Sequence, residues 1–137
     1  MLTREVFQAH GESDVWRKDS ILYANLKGSW NKEAALEFSE SFKRVAEPLT
    51  AHPWGHLVYL HEWDLCAPDV FPVIENLVAW CLDHNLVRAA QIYPPSIMKK
   101  QFLDQMVVEE MGNFRRATLD NKDDAYQWLV NEMVSLR

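Results

Sequence analysis

A chain of 137 residues suits one domain, and 48% apolar with 25% charged residues is a globular composition, not a disordered one. The formal charge of −6, from 14 Lys and Arg against 20 Asp and Glu, works against binding to phosphate backbones. No basic stripe offsets it, since Lys99-Lys100 and Arg115-Arg116 stand as isolated pairs, so nucleic acid and anionic membrane are disfavoured as partners.

In chain order, Glu5 to His10 and Asp14 to Lys18 flank Gly11 and read as a hairpin. Ser20 to Lys27 reads as a further strand, with Leu22, Ala24 and Leu26 on its apolar face and Gly28 as its end. Asn31 is the expected N-cap of a first helix, with Glu33 favouring its positive end. Ala35, Phe38, Phe42, Val45 and Leu49 recur every three or four residues and form its inner stripe. Pro48 and Pro53 bracket the exit.

Gly55 to Glu62 contains an apolar run that suits a central strand buried on both faces. A loop, Glu62 to Asp69, then leads to a helix opening near Pro68. Val70, Ile74, Leu77, Val78 and Cys81 line that helix, widened by Phe71, Trp80 and Leu82, and Asn85 stops it. Val87 to Tyr93 is a short strand ended by Pro94-Pro95. Ser96 caps a third helix expected to run through Met98, Phe102, Met106 and Met111, with Gly112 past its end. Phe114 to Leu119 is the last strand. Asp120 with Asp123 resembles a capping box for a final helix lined by Ala125, Trp128, Leu129 and Met133. The alternation predicts a single α/β domain over residues 1–137. It has a mixed, mostly parallel sheet, an antiparallel N-terminal edge and about four helices.

Chemistry-bearing residues are dispersed. His52, His56, His61, Glu62, Asp64 and Cys66 form the densest polar cluster, but their spacing matches no zinc pattern. His56 and His61, read as five apart on one strand, face opposite sides of the sheet. Asp64, at the end of the central strand, reads as a helix cap before Pro68, although ligands bind at that end of open α/β sheets. Cys66 reads as an inert thiol beside Leu65 and Ala67, and Cys81 as a buried one. Two cysteines without a disulfide or metal spacing suit a reducing compartment. The N-terminus carries no signal-peptide pattern, and the apolar stretch Asn76 to Leu82 is too short to span a bilayer, so a cytoplasmic protein is expected. No catalytic, cofactor or metal motif is present in the sequence. Trp80 and Trp128 read as core. Trp16, Trp30, Trp54 and Trp63 fall at strand ends or turns, where they either seal the sheet or build an association surface favouring a homodimer.

Three stretches carry a family likeness. They are Leu26-Lys27-Gly28 before the helix at Asn31, the strand Leu57 to Leu60 leading to Trp63-Asp64-Leu65, and Phe114-Arg115-Arg116 with Asp123 to Leu129. With the element order, they make Ser20 to Leu136 resemble the SpoIIAA-like branch of the STAS superfamily, the anti-sigma-factor-antagonist fold. The resemblance implies a non-enzymatic regulatory or protein-interaction module, with a contact surface at Trp63, Asp64, Leu65, Cys66 and Asp69. In phosphoswitch members a Ser or Thr lies in the loop between the third strand and the second helix. Here no Ser or Thr occurs between Thr50 and Ser96. That switch has no acceptor, although charge at a helix start is what it would exploit.

The branch is also linked to lipid-carrier folds. The alternative it implies is a carrier of a small apolar molecule between helix faces around Phe71, Trp80, Phe102 and Met106. A metal-dependent enzyme using His56, Asp64 and Cys66 stands third.

Overall fold

The computed structural model describes residues 10–136. The elements are β1 (Glu12–Lys18), β2 (Ile21–Trp30), α1 (Lys32–Ala46), a 3-10 turn (Glu47–Leu49), β3 (Trp54–Tyr59), β4 (Trp63–Cys66), α2 (Val70–Asp83), β5 (Leu86–Ile92), α3 (Ile97–Met106), β6 (Glu110–Met111), β7 (Phe114–Leu119) and α4 (Lys122–Ser135). The sheet runs β1-β2-β3-β5-β7-β6, and β4 pairs with β2 off that path. β2, β3, β5 and β7 are parallel; β1 and β6 run antiparallel to their neighbours. This is the expected mixed sheet with an antiparallel N-terminal edge and, among the described residues, four α-helices.

Burial follows the alternation of the strands. Leu22, Ala24, Val58 and Ala89 on one face pack against Phe38 and Phe42 of α1, Leu77 and Cys81 of α2, and Leu103 and Met106 of α3. Ile21, Leu57, Ala90 and Ile92 on the other face meet Ala125 and Leu129 of α4. All of β5 is buried, as a central parallel strand covered on both sides must be. The expected caps hold at Asn31, whose side chain accepts from Ala34 N–H, and at Ser96, which accepts from Lys99 N–H. Asn85 leaves α2 in the left-handed region, φ 74°, and its carbonyl accepts from Trp54 N–H.

Several boundaries differ from the sequence reading, each for a local reason. β1 pairs with β2 through a turn at Asp19, whose φ is 55°; of the hairpin expected around Gly11, residues 5–9 lie outside the described residues. β2 does not stop at Gly28. That glycine takes φ +82° inside the strand, which continues to Trp30. α3 ends at Met106 because Val107 goes extended, where its β-branched side chain sits easily. The chain then returns as β6 along β7, with Gly112 in the turn at φ +59°. Asn121, not Asp120, caps α4, accepting from Asp124 N–H at 2.8 Å.

Gly11 (φ +102°) lies against the Trp30 indole, and a Cβ there would approach Trp30 Cδ1 to 2.2 Å. Gly11→Ala is expected to cost about 2 kcal/mol, from backbone strain and the displaced ring. Urea denaturation of the variant beside the wild type measures it.

Candidate functional site

The connection from β3 to α2 is more structured than a loop. After β3 the chain turns at residues 61–62, and β4 resumes pairing along the same side of β2, beyond Gly28. Gly28 is opposite Trp63 and Trp30 is opposite Cys66, so two steps on β2 match three on β4. The extra residue is a β-bulge. Strict alternation would send Trp63 and Cys66 to opposite faces. The bulge lets both be buried, at 3% and 8% exposure, with Asp64 exposed between them. No period-two pattern marks such a strand, which is why the sequence reads as a loop.

The connection is tied down from three directions. Gly28 N–H donates to Glu62 O at 2.8 Å and Ala67 N–H to Trp30 O at 3.0 Å. From α3, the Lys99 ammonium donates to the carbonyls of Leu60 and His61, at 2.8 and 3.2 Å. Phe102 packs edge-on to Trp63. Glu62, Asp64 and Asp69 remain exposed along this edge, and Lys27 is the cation nearest Glu62, 3.9 Å away.

The expected site residues therefore divide. Asp64 and Asp69 are at the surface, whereas Trp63 and Cys66 are anchors beneath it. Asp64 lies on β4 and does not cap α2; Asp69 occupies the N-cap position without a side-chain hydrogen bond. Burial, with Asp69 nearby, pushes the Cys66 thiol up to about 11, so it stays protonated and unreactive at neutral pH.

The residues of the metal-enzyme reading are not brought together. His56 is registered beside Leu22 and Cys66 beside Trp30, eight residues apart on β2, or roughly 25 Å along a strand. His61 and His52 are exposed in turns, and His61 is not on the strand with His56. Among the described residues, no three His, Cys, Asp or Glu side chains could hold a metal ion.

The tryptophans also divide differently. Trp30, Trp54 and Trp63 are core, while Trp80 and Trp128 are only partly buried. Trp16 stays 42% exposed on the edge strand β1, stacked with Tyr23 at 5.6 Å.

Between the sheet and helices α1, α2 and α3 lies a cavity of about 100 Å³. Its walls are almost wholly apolar and include Trp30, Trp63, Val70, Leu77, Ala89 and Phe114. Of the quartet expected to form a ligand pocket, Met106 lines it and Trp80, Phe71 and Phe102 do not. Two polar side chains reach the wall, His56 and Gln91. His56 was expected only as part of a metal-dependent site and Gln91 was not expected at all, although a glutamine within the apolar strand Leu86–Ile92 was a visible sequence signal. His56 Nδ1–H donates to Leu22 O at 2.9 Å, and burial lowers the imidazole pKa to about 4. Arg116, its side chain 2% exposed, bridges Gln91 Oε1 at 2.8 Å and Asp104 at 2.6 Å.

No family model matches the chain, and no curated protein matches it. Solved structures do. A Shewanella loihica PV-4 protein of the DUF3478 family, described as having a SpoIIAA-like fold, superposes with a TM-score of 0.66. The two are 13% identical over 89% of this chain and 95% of the other. The anti-sigma factor antagonist SpoIIAA, in its unphosphorylated form, superposes with a TM-score of 0.54 at 10% identity, over 88% of this chain and 98% of the other. The chain has the SpoIIAA-like fold. Within that SpoIIAA-like frame, the bulged β4 and the start of α2 form the exposed rim at the C-terminal end of β3, and the cavity lies directly beneath them. No helix among the described residues is long and apolar enough to cross a membrane.

Proposed function

We propose that the chain is a non-enzymatic regulatory or protein-interaction module of the STAS type, working in the cytoplasm without a Ser/Thr phosphoswitch between β3 and α2. The observation that carries this reading is the hydrogen-bonded acidic knuckle from Glu62 to Asp69. Asp64 and Asp69 stand exposed there, while the buried Trp63 and Cys66 hold the backbone beneath them. A preformed surface loses little conformational entropy on docking, and its charge favours a basic partner face. Trp63, Asp64, Leu65, Cys66 and Asp69 are its contact segment, with the two carboxylates as the specific contacts. Self-association belongs to the same reading, through the edge strand β1 and its exposed Trp16.

The test is capture from native lysate with the wild type and with a doubly reversed variant, Asp64→Lys with Asp69→Lys. Both aspartates are exposed, so the variant is expected to melt within a few degrees of the wild type. It is expected to retain its bound partner at least about tenfold less well. Undiminished capture of the same protein by the variant contradicts the proposal.

The cavity favours a second reading, a carrier of a small apolar molecule. Its volume of about 100 Å³ suits a molecule of a few heavy atoms; a single ring would require α2 and α3 to shift slightly outward, and a lipid chain would require them to move well away from the sheet.

A further inference from the structure

We infer that the cavity is a binding site for a neutral, phenol-sized molecule carrying one hydroxyl or N–H group, held between His56 and Gln91. The inference rests on the second, ligand-binding reading and names its ligand class. An apolar cavity of about 150 Å³ admits benzene, so at about 100 Å³ a single small ring is the upper limit and enters only with a slight outward movement of α2 and α3. Leu77, Ala89, Leu103 and Phe114 in the wall supply dispersion and exclude a charged guest.

The two polar groups offer complementary halves of a hydrogen-bond pair. Leu22 O can only accept, so His56 Nδ1 carries the proton and Nε2 is left as a bare acceptor. Arg116 can only donate, so it fixes Gln91 Oε1 toward itself and leaves the Gln91 amide N–H₂ as a donor. His56 and Gln91 lie on the same face of adjacent parallel strands. Val58 is the residue registered opposite Gln91, and His56 is two positions before it. That diagonal separates the two Cβ atoms by roughly 7–8 Å. One hydroxyl between them can donate to the imidazole and accept from the amide. The imidazole is neutral at physiological pH, and the wall offers no cation to a carboxylate, so fatty acids are poor candidates.

Phenol and toluene are the probes, nearly equal in size and differing in the hydroxyl. Trp30 and Trp63 line the cavity, so indole fluorescence of the full chain reports occupancy. Saturable phenol binding is expected. His56→Leu is expected to weaken phenol about tenfold or more and to leave toluene within about twofold. In the wild type, the His56 Nε2 resonance is expected to shift with phenol and not with toluene, a readout that needs no variant to fold. Ala89→Leu, which fills the space, is expected to abolish both. Equal loss of the two probes in His56→Leu, or no resonance shift at phenol saturation, overturns the polar pairing and leaves the ligand-binding reading standing. Failure of both probes to bind the wild type overturns the inference and that reading together.

Discussion

Trp54→Ala is expected to lower unfolding free energy by about 3–5 kcal/mol, the range for deleting a large buried aromatic side chain. Trp54 has no exposed surface and opens β3, where its ring meets Phe42 at 6.1 Å. Its indole N–H donates to His84 O at 2.6 Å, closing the end of α2 onto the start of β3. Truncation therefore removes packing and strands a carbonyl together. A domain of this size is stable by only about 5–15 kcal/mol, so the variant gives up a large share of its margin. Trp54→Phe separates the two contributions: it keeps most of the apolar contact, loses the hydrogen bond, and is expected to cost about 1–3 kcal/mol. Guanidinium denaturation of both variants measures the difference, and equal losses would show that the hydrogen bond to His84, not packing, is at stake.

The second large effect is on pH dependence. His56 has an ordinary imidazole pKa of 6.5 when unfolded and about 4 in the fold, because burial disfavours the cation. Between those values the unfolded chain binds a proton that the folded chain refuses. Stability is therefore complete above pH 6.5 and falls as pH drops toward 4. At 1.36 kcal/mol per pKa unit, the full loss from this one group is about 3 kcal/mol. Asp104, held below the usual carboxylate range by Lys100 and Arg116, weakens the fold in the same direction when it protonates at still lower pH. His56→Gln isolates the histidine: its stability profile is expected to lie flatter than wild type between pH 6.5 and 4. Parallel profiles would place the acid sensitivity elsewhere.

The pattern of the folded chain was legible wherever local sequence and burial agree. Asn31 and Ser96 announce their helices because a side-chain oxygen before an apolar stripe has few other uses. Strand Phe114–Leu119 and the doubly buried Leu86–Ile92 stand out for their flanking turns and apolar content. What escaped depends on partners distant in the chain. β4 exists because β2 runs past Gly28 and offers an open edge, and its bulge erases the alternation by which a strand is recognised. Trp30, Trp54 and Trp63 sit at element ends, which left sealing the sheet and an association surface both open, and helices α1, α2 and α3 fold over them. The cavity's polar pair was hidden for the same reason. Only the register of β3 against β5 puts His56 and Gln91 on one wall, and only Arg116 from β7 decides which end of the glutamine faces the space.

The acidic knuckle from Glu62 to Asp69 is proposed as the docking surface. A photo-crosslinking side chain at position 64, with a control at exposed Glu40 on α1, tests it in living cells. A discrete protein adduct is expected from position 64 and none from position 40. Adducts from both positions alike, or from position 40 alone, would contradict it.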